Sequence, residues 1–116
     1  MLRHARRGRA GLAAVLALLA PPPLACEPEL TPVAPATWVV EGAREEIAAD
    51  NCGLIANLGV IATGEGVVLI DSGPSRTLGE ALEAEIMALT GQPVRWVLNT
   101  HHHPDHVFGN QAFANA

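Results

Sequence analysis

The chain has 116 residues, a formal net charge of −5 and a mean hydropathy of +0.24, which allows one domain at most. Arg3, Arg6, Arg7 and Arg9 precede every acidic residue, and from Glu27 onward three arginines face twelve carboxylates, a balance of −9. With no lysine, no Tyr, two Phe and two Trp, this acidic body lacks the basic stripe and stacking aromatics of a nucleic-acid binder, which excludes nucleic acid as a direct partner.

Residues 1–25 have the composition of an export signal. The basic stretch Arg3–Arg9 leads into the apolar run Gly11–Ala20, and Pro21, Pro22 and Pro23 then prevent a helix from continuing. The apolar run is too short to span a bilayer permanently. Arg6 and Arg7 raise the twin-arginine route, but Gly8 and Arg9 depart from that signal, which favours the general secretory route. Leu24, Ala25 and Cys26 resemble the end of a bacterial lipoprotein signal, with Pro23 standing where that pattern has an aliphatic residue. Ala34-Pro35-Ala36 is a second, later cleavage candidate. The expected location is therefore the bacterial envelope, periplasmic or lipid-anchored, with a lipid at Cys26 as the only membrane contact. Left unlipidated, Cys26 is able to pair with Cys52, because disulfides persist in that compartment. Signal removal leaves about 90 residues, a size at which one hydrophobic core is marginal.

Pro28, Pro32 and Pro35 lie among small polar residues, and this composition predicts a PPII-like tether over residues 26–37. The folded domain, residues 38–116, is expected to begin near Trp38. Trp38–Val40 and Leu54–Ala62 are short apolar runs, Thr63-Gly64-Glu65-Gly66 supplies a turn, and Val67–Ile70 follows as a buried strand, which together predict a hairpin. Asp71-Ser72-Gly73 ends that strand. Thr77 with Glu80 has the form of a capping box, and Leu78, Leu82, Ile86 and Leu89 share one face of the helix it opens. Gly91 and Pro93 stop the helix, and Val94–Leu98 is again an apolar strand. Strand, helix, strand predicts a parallel, right-handed βαβ unit in an α/β fold, with functional groups beyond the carboxyl ends of the strands.

Asp71 and the segment Thr100–His106 both lie at such ends. Four of the five histidines fall within His101–His106, a density that core packing does not require. His101 and His103, two apart in extended backbone, project to one side and are able to share a metal. His102 between them faces the other way. After Pro104, Asp105 and His106 turn toward a helix expected through Val107, Phe108, Gln111 and Phe113. Imidazole and carboxylate together suit zinc, and also iron or manganese.

His101, His103, Asp105 and His106 form His-x-His-x-Asp-His, which resembles the signature of the metallo-beta-lactamase superfamily, and starting one residue later would put Pro104 in a ligand position. Leu69-Ile70-Asp71-Ser72-Gly73 is similar to that superfamily's preceding motif. The resemblance covers about Trp38–Ala116 and implies the N-terminal half of an αββα sandwich. It implies one or two Zn²⁺ ions, with His101 and His103 at the first position, Asp105 and His106 at the second, and Asp71 supporting the loop that carries them. It further implies a hydrolase in which metal-bound hydroxide attacks an ester, thioester, lactone or β-lactam, with Asp105 as the catalytic residue that orients the hydroxide and takes its proton. Two ligands at the first position are fewer than a catalytic zinc takes, so the chain is expected to be an N-terminal fragment or a truncated product, inactive by itself. Asn51–Gly59 and His106–Phe113 look most like the exported zinc metallohydrolases of quinoprotein relay systems. The alternative role is a non-hydrolytic periplasmic metal-binding protein associated with a quinoprotein dehydrogenase.

Overall fold

The computed structural model describes residues 26–116; the expected export signal, residues 1–25, lies outside the described residues. Five strands form one sheet in sequence order: β1 (Thr31–Ala34), β2 (Thr37–Val40), β3 (Leu58–Ala62), β4 (Val67–Ile70) and β5 (Val94–Leu98). Neighbours from β1 to β4 are antiparallel. The helix α1 (Arg76–Thr90) carries the chain from β4 to β5, and these two strands are parallel. A short helix, α2 (Pro104–Val107), and a 3-10 segment, Phe108–Phe113, complete the described chain. No helix among the described residues is long and apolar enough to cross a membrane.

Period-two alternation decides which sheet face is covered. Leu58 and Val60 on β3 and Val67 and Leu69 on β4 are buried, and they pack with Leu82 and Ile86 of α1 and with Phe113. Burial of each such large side chain contributes about 2 kcal/mol. The helix forms where the spacing of Leu78, Leu82 and Ile86 predicts it, and all three are buried. Leu89, on the same face in the last turn, is half exposed. The N-cap is Ser75 rather than Thr77: its hydroxyl accepts from the Leu78 amide at 3.1 Å, while Thr77 already lies inside the helix. Gly91, in the left-handed conformation, donates its N–H to the Met87 carbonyl and ends the helix. The helix expected after Pro104 is split, with α-helical bonding giving way to 3-10 at Phe108.

Two expectations need correction. The tether over 26–37 is partly strand, since β1 pairs with β2 and places Pro32 opposite Trp38; an edge strand tolerates proline because one of its sides has no ladder partner. The apolar run Leu54–Ala62 is strand only from Leu58. Before it, the loop joining β2 to β3 is held by separate hydrogen bonds, from the Gly42 amide to Asn57 Oδ1 at 2.9 Å and from the Ala43 amide to the Leu54 carbonyl at 2.8 Å. Cys26 is bonded to Cys52 across a sequence separation of 26, the pairing open to an unlipidated Cys26.

The disulfide ties the start of the described chain to the β2–β3 loop. A closed loop of this length contributes about 3 kcal/mol through the entropy of the unfolded chain. Cys52→Ser is expected to lower the free energy of urea unfolding by about that amount, and added reductant should bring the parent protein to the same value. Equal midpoints for oxidised and reduced protein would show that the cross-link contributes nothing.

Candidate metal centre

Because β4 and β5 are parallel neighbours, their carboxyl ends reach the same edge of the sheet, and the residues that follow them meet there. Asp71 follows β4 with φ 58, in the left-handed region. Its amide donates to the Leu98 carbonyl at 2.9 Å, extending the sheet by one bond, and its carboxylate turns under the segment that follows β5. Asp71 is 2% exposed. Burial by itself pushes the carboxyl pKa up, but hydrogen bonds from His106, the Thr100 amide and the Thr100 hydroxyl hold it below the usual value.

Those bonds fix both flanks of the histidine segment. Asp71 Oδ1 accepts from the Thr100 amide at 2.8 Å, and Oδ2 accepts from the Thr100 hydroxyl and from His106 Nδ1, both at 2.7 Å. The Thr100 hydroxyl has one proton and gives it to Asp71. At His101 Nδ1, 2.9 Å away, it is then the acceptor. By elimination His101 and His106 both carry a proton on Nδ1, which leaves each Nε2 lone pair directed away from the support. One buried carboxylate thus sets the tautomer of two histidines, the arrangement that supports metal-ligating imidazoles.

The free nitrogens fall into two pairs. His101 Nε2 lies 3.1 Å from His103 Nδ1, and His106 Nε2 lies 3.4 Å from Asp105 Oδ2. Two nitrogens at zinc-ligand distance around a tetrahedral ion sit about 3.3 Å apart, so both pairs have the separation of donors that share an ion. In the second pair a ring nitrogen faces a carboxylate oxygen. The rings of His101 and His106, one from each pair, have centroids 4.0 Å apart. Among the described residues no three His, Cys, Asp or Glu side chains form a group able to hold one ion. The four expected ligands are brought together as two adjacent pairs rather than as one cage. His102 is exposed, and only its ring edge meets His103, at a centroid distance of 5.2 Å.

Sequence reasoning missed the brace beneath this segment. Ser72, fully buried, donates its amide to the His106 carbonyl at 2.8 Å and its hydroxyl to Asn110 Oδ1. Asn110 Nδ2 in turn donates to Asn99 Oδ1 at 2.7 Å. The only sequence signal for Thr100, Asn99 and Ser72 was their place beside the strand ends.

Two clefts flank the centre. A polar one of about 550 Å³ includes Glu41, Arg44, Asn57, Asp71, Thr100 and His106 in its lining. The other, of about 460 Å³, is walled by Ile47, Gly53, Pro74, Pro104 and Phe108 and reaches Asp105.

Residues 53–116 match the family model of the Metallo-beta-lactamase superfamily. A linear primary-alkylsulfatase of Pseudomonas sp. (strain ATCC 19151) is 32% identical over 56 residues, which is 48% of this chain and 11% of that enzyme. Among solved structures, a metallo-beta-lactamase from Hirschia baltica superposes with a TM-score of 0.63 at 21% identity, over 75% of this chain and 39% of its own. One from Pontibacter korlensis gives 0.58 at 26% identity, over 74% and 39%. The FIM-1 metallo-beta-lactamase of Pseudomonas aeruginosa, solved in a mono-zinc form, gives 0.60 at 19% identity, over 75% and 38%. The chain thus spans about two fifths of the length of these structural relatives. With its family model matched over more than half its length and both motifs at adjacent strand ends, the chain belongs to the metallo-beta-lactamase superfamily.

Proposed function

We propose that this chain carries the zinc-binding strand-end segment of an exported metallohydrolase acting on an ester, thioester, lactone or β-lactam. The observation that carries the reading is the pair of Nε2 lone pairs, on His101 and His106, that the Asp71 network leaves free beside His103 and Asp105. His101 and His103 would hold one ion, Asp105 and His106 a second, and iron or manganese fits the same donors. A bound ion supplies Lewis acidity and makes water a nucleophile at neutral pH. Asp105 lines the edge of the apolar cleft, and in this reading its carboxylate would orient the attacking water and take its proton. Similarity to an alkylsulfatase extends the substrate list to sulfate esters, since that relative's name denotes cleavage of an alkyl sulfate. Residues 1–25 act as the export signal in this reading, and the Cys26–Cys52 bond suits an oxidising compartment.

Titration calorimetry with zinc tests the donor set. Replacing His101 and His103 together by Ala is expected to abolish binding, and His102→Ala to leave it unchanged; equal losses from His102→Ala and His103→Ala would sink the assignment. A zinc-dependent hydrolysis panel over the substrate classes, run on a version extended through the rest of the domain, tests the reaction. Zinc binding with no hydrolysis of any member would leave only the metal-binding role.

A further inference from the structure

We propose that Asn99 and Asn110 are positioning residues for the metal centre, their side-chain amides pairing across the base of the ligand segment to close it into a loop; the inference rests on the metal-binding reading. Asn99 comes directly after β5 and Asn110 lies in the 3-10 segment. Every expected ligand, His101, His103, Asp105 and His106, therefore falls between them. Asn110 Nδ2 donates to Asn99 Oδ1 at 2.7 Å, and Asn99 Nδ2 donates to Asn110 Oδ1 at 3.3 Å. Each amide uses a donor and an acceptor on the other, a match that a carboxylate, with no donor, cannot make. The chain leaves the sheet at Asn99 and returns, 11 residues later, to the same fastened point.

That point shares its support with the ligands. Asn110 Oδ1 also accepts the hydroxyl of Ser72, which is fully buried and follows Asp71 in the chain. The His106 carbonyl accepts from the Ser72 amide at 2.8 Å and from Asn99 Nδ2 in a longer contact of 3.5 Å. His106 is thus held at both ends, its ring by Asp71 and its backbone by Ser72 and Asn99. Both asparagines are exposed, and water replaces most of the energy of an exposed hydrogen bond, so the pair adds little to global stability. Water does not replace the restraint. An open segment loses loop-closure entropy when donors from its two halves converge on an ion, whereas a segment closed beforehand presents them in place.

In zinc calorimetry of the full chain, Asn99→Ala and Asn110→Ala are each expected to weaken binding about 10-fold. The double variant should lose no more than Asn110→Ala alone, because either substitution breaks the same pair. Asn99→Asp and Asn110→Asp separate the bond from charge. Both add one negative charge beside the ligands, but Asn99→Asp still accepts from Asn110 Nδ2, whereas Asn110→Asp sets two oxygens against each other. Asn99→Asp should therefore bind zinc more tightly than Asn110→Asp. In the metal-free protein, exchange of the Thr100 and His106 amides, which are bonded to Asp71 and to the His103 carbonyl, should quicken severalfold in the alanine variants while the urea midpoint stays that of the parent. Gln92→Ala, which removes an exposed side-chain acceptor from the Gly64 amide at the turn before β4, should change neither affinity nor exchange. Additive losses in the double variant, or a loss of zinc affinity matched by an equal loss of unfolding free energy, would overturn the inference. So would unchanged affinity and exchange, which would show that the backbone bonds at Thr100 and Gly109 already close the segment. A parent that binds no zinc overturns the metal-binding reading instead, and the exchange rates then still decide whether the pair closes the segment.

Discussion

Gly109→Ala is expected to destabilise the protein by about 3 kcal/mol or more. A Cβ at Gly109 would overlap the Ser72 carbonyl, which is backbone and has no rotamer by which to yield. The same glycine donates its amide to the Gly73 carbonyl at 2.9 Å, and the Ser72 amide donates to His106, so the 3-10 segment and the Asp71–Gly73 turn are bonded at van der Waals limits. Relieving the overlap moves that turn, and Asp71 moves with it. Gly64 is the informative contrast: it has φ +86, but a Cβ there meets nothing within 4 Å. Gly64→Ala should cost only the conformational strain, about 1 kcal/mol. Urea unfolding followed by circular dichroism measures both. A Gly109→Ala protein within 1 kcal/mol of Gly64→Ala would show that the turn is looser than its contacts indicate.

The elements legible in the sequence are those in which local chemistry and burial agree. The Thr63–Gly66 turn, the alternation through β3 and β4, the Leu78, Leu82, Ile86 spacing and the Gly91 stop each specify one local structure, and together they bring Asp71 and His101–His106 to one sheet edge. Strand β1 was hidden because proline-rich composition and an edge strand look alike until a partner strand is known. Ser75 was passed over for Thr77 because both precede a helical pattern, and only backbone angles decide which is the cap. Two cysteines offered a pairing, but their count did not distinguish it from other fates of Cys26. The donor types at the centre were readable from spacing. The relay through Thr100 and the choice of tautomer were not, because they depend on side-chain torsions across 29 residues of sequence separation.

That relay gives Asp71 two separable duties, and two substitutions at this position should separate them. Asp71→Ala removes the acceptor for the Thr100 amide, the Thr100 hydroxyl and His106 Nδ1 at once, at a position that is itself 2% exposed. Unmet buried donors cost about 1–3 kcal/mol each where water cannot replace the partner, and alanine at φ 58 adds strain that aspartate and asparagine tolerate better. A loss of about 3 kcal/mol in unfolding free energy is expected, together with loss of zinc binding. Asp71→Asn keeps the volume and suits the backbone angle, so its stability should fall less. Its amide, however, presents a donor where one carboxylate oxygen accepted. With Oδ1 still serving the Thr100 amide, the new N–H₂ faces the Thr100 hydroxyl and His106 Nδ1. His106 then relieves the donor–donor conflict by moving its proton to Nε2, the nitrogen that faces Asp105. Zinc affinity should therefore drop about 10- to 100-fold in Asp71→Asn, out of proportion to its stability, and the ring ¹⁵N shifts of His106 should report the exchanged tautomer in the metal-free protein. Zinc affinity unchanged in Asp71→Asn, with the proton still on Nδ1, would show that His106 is oriented by its backbone alone and that the buried carboxylate serves only the fold.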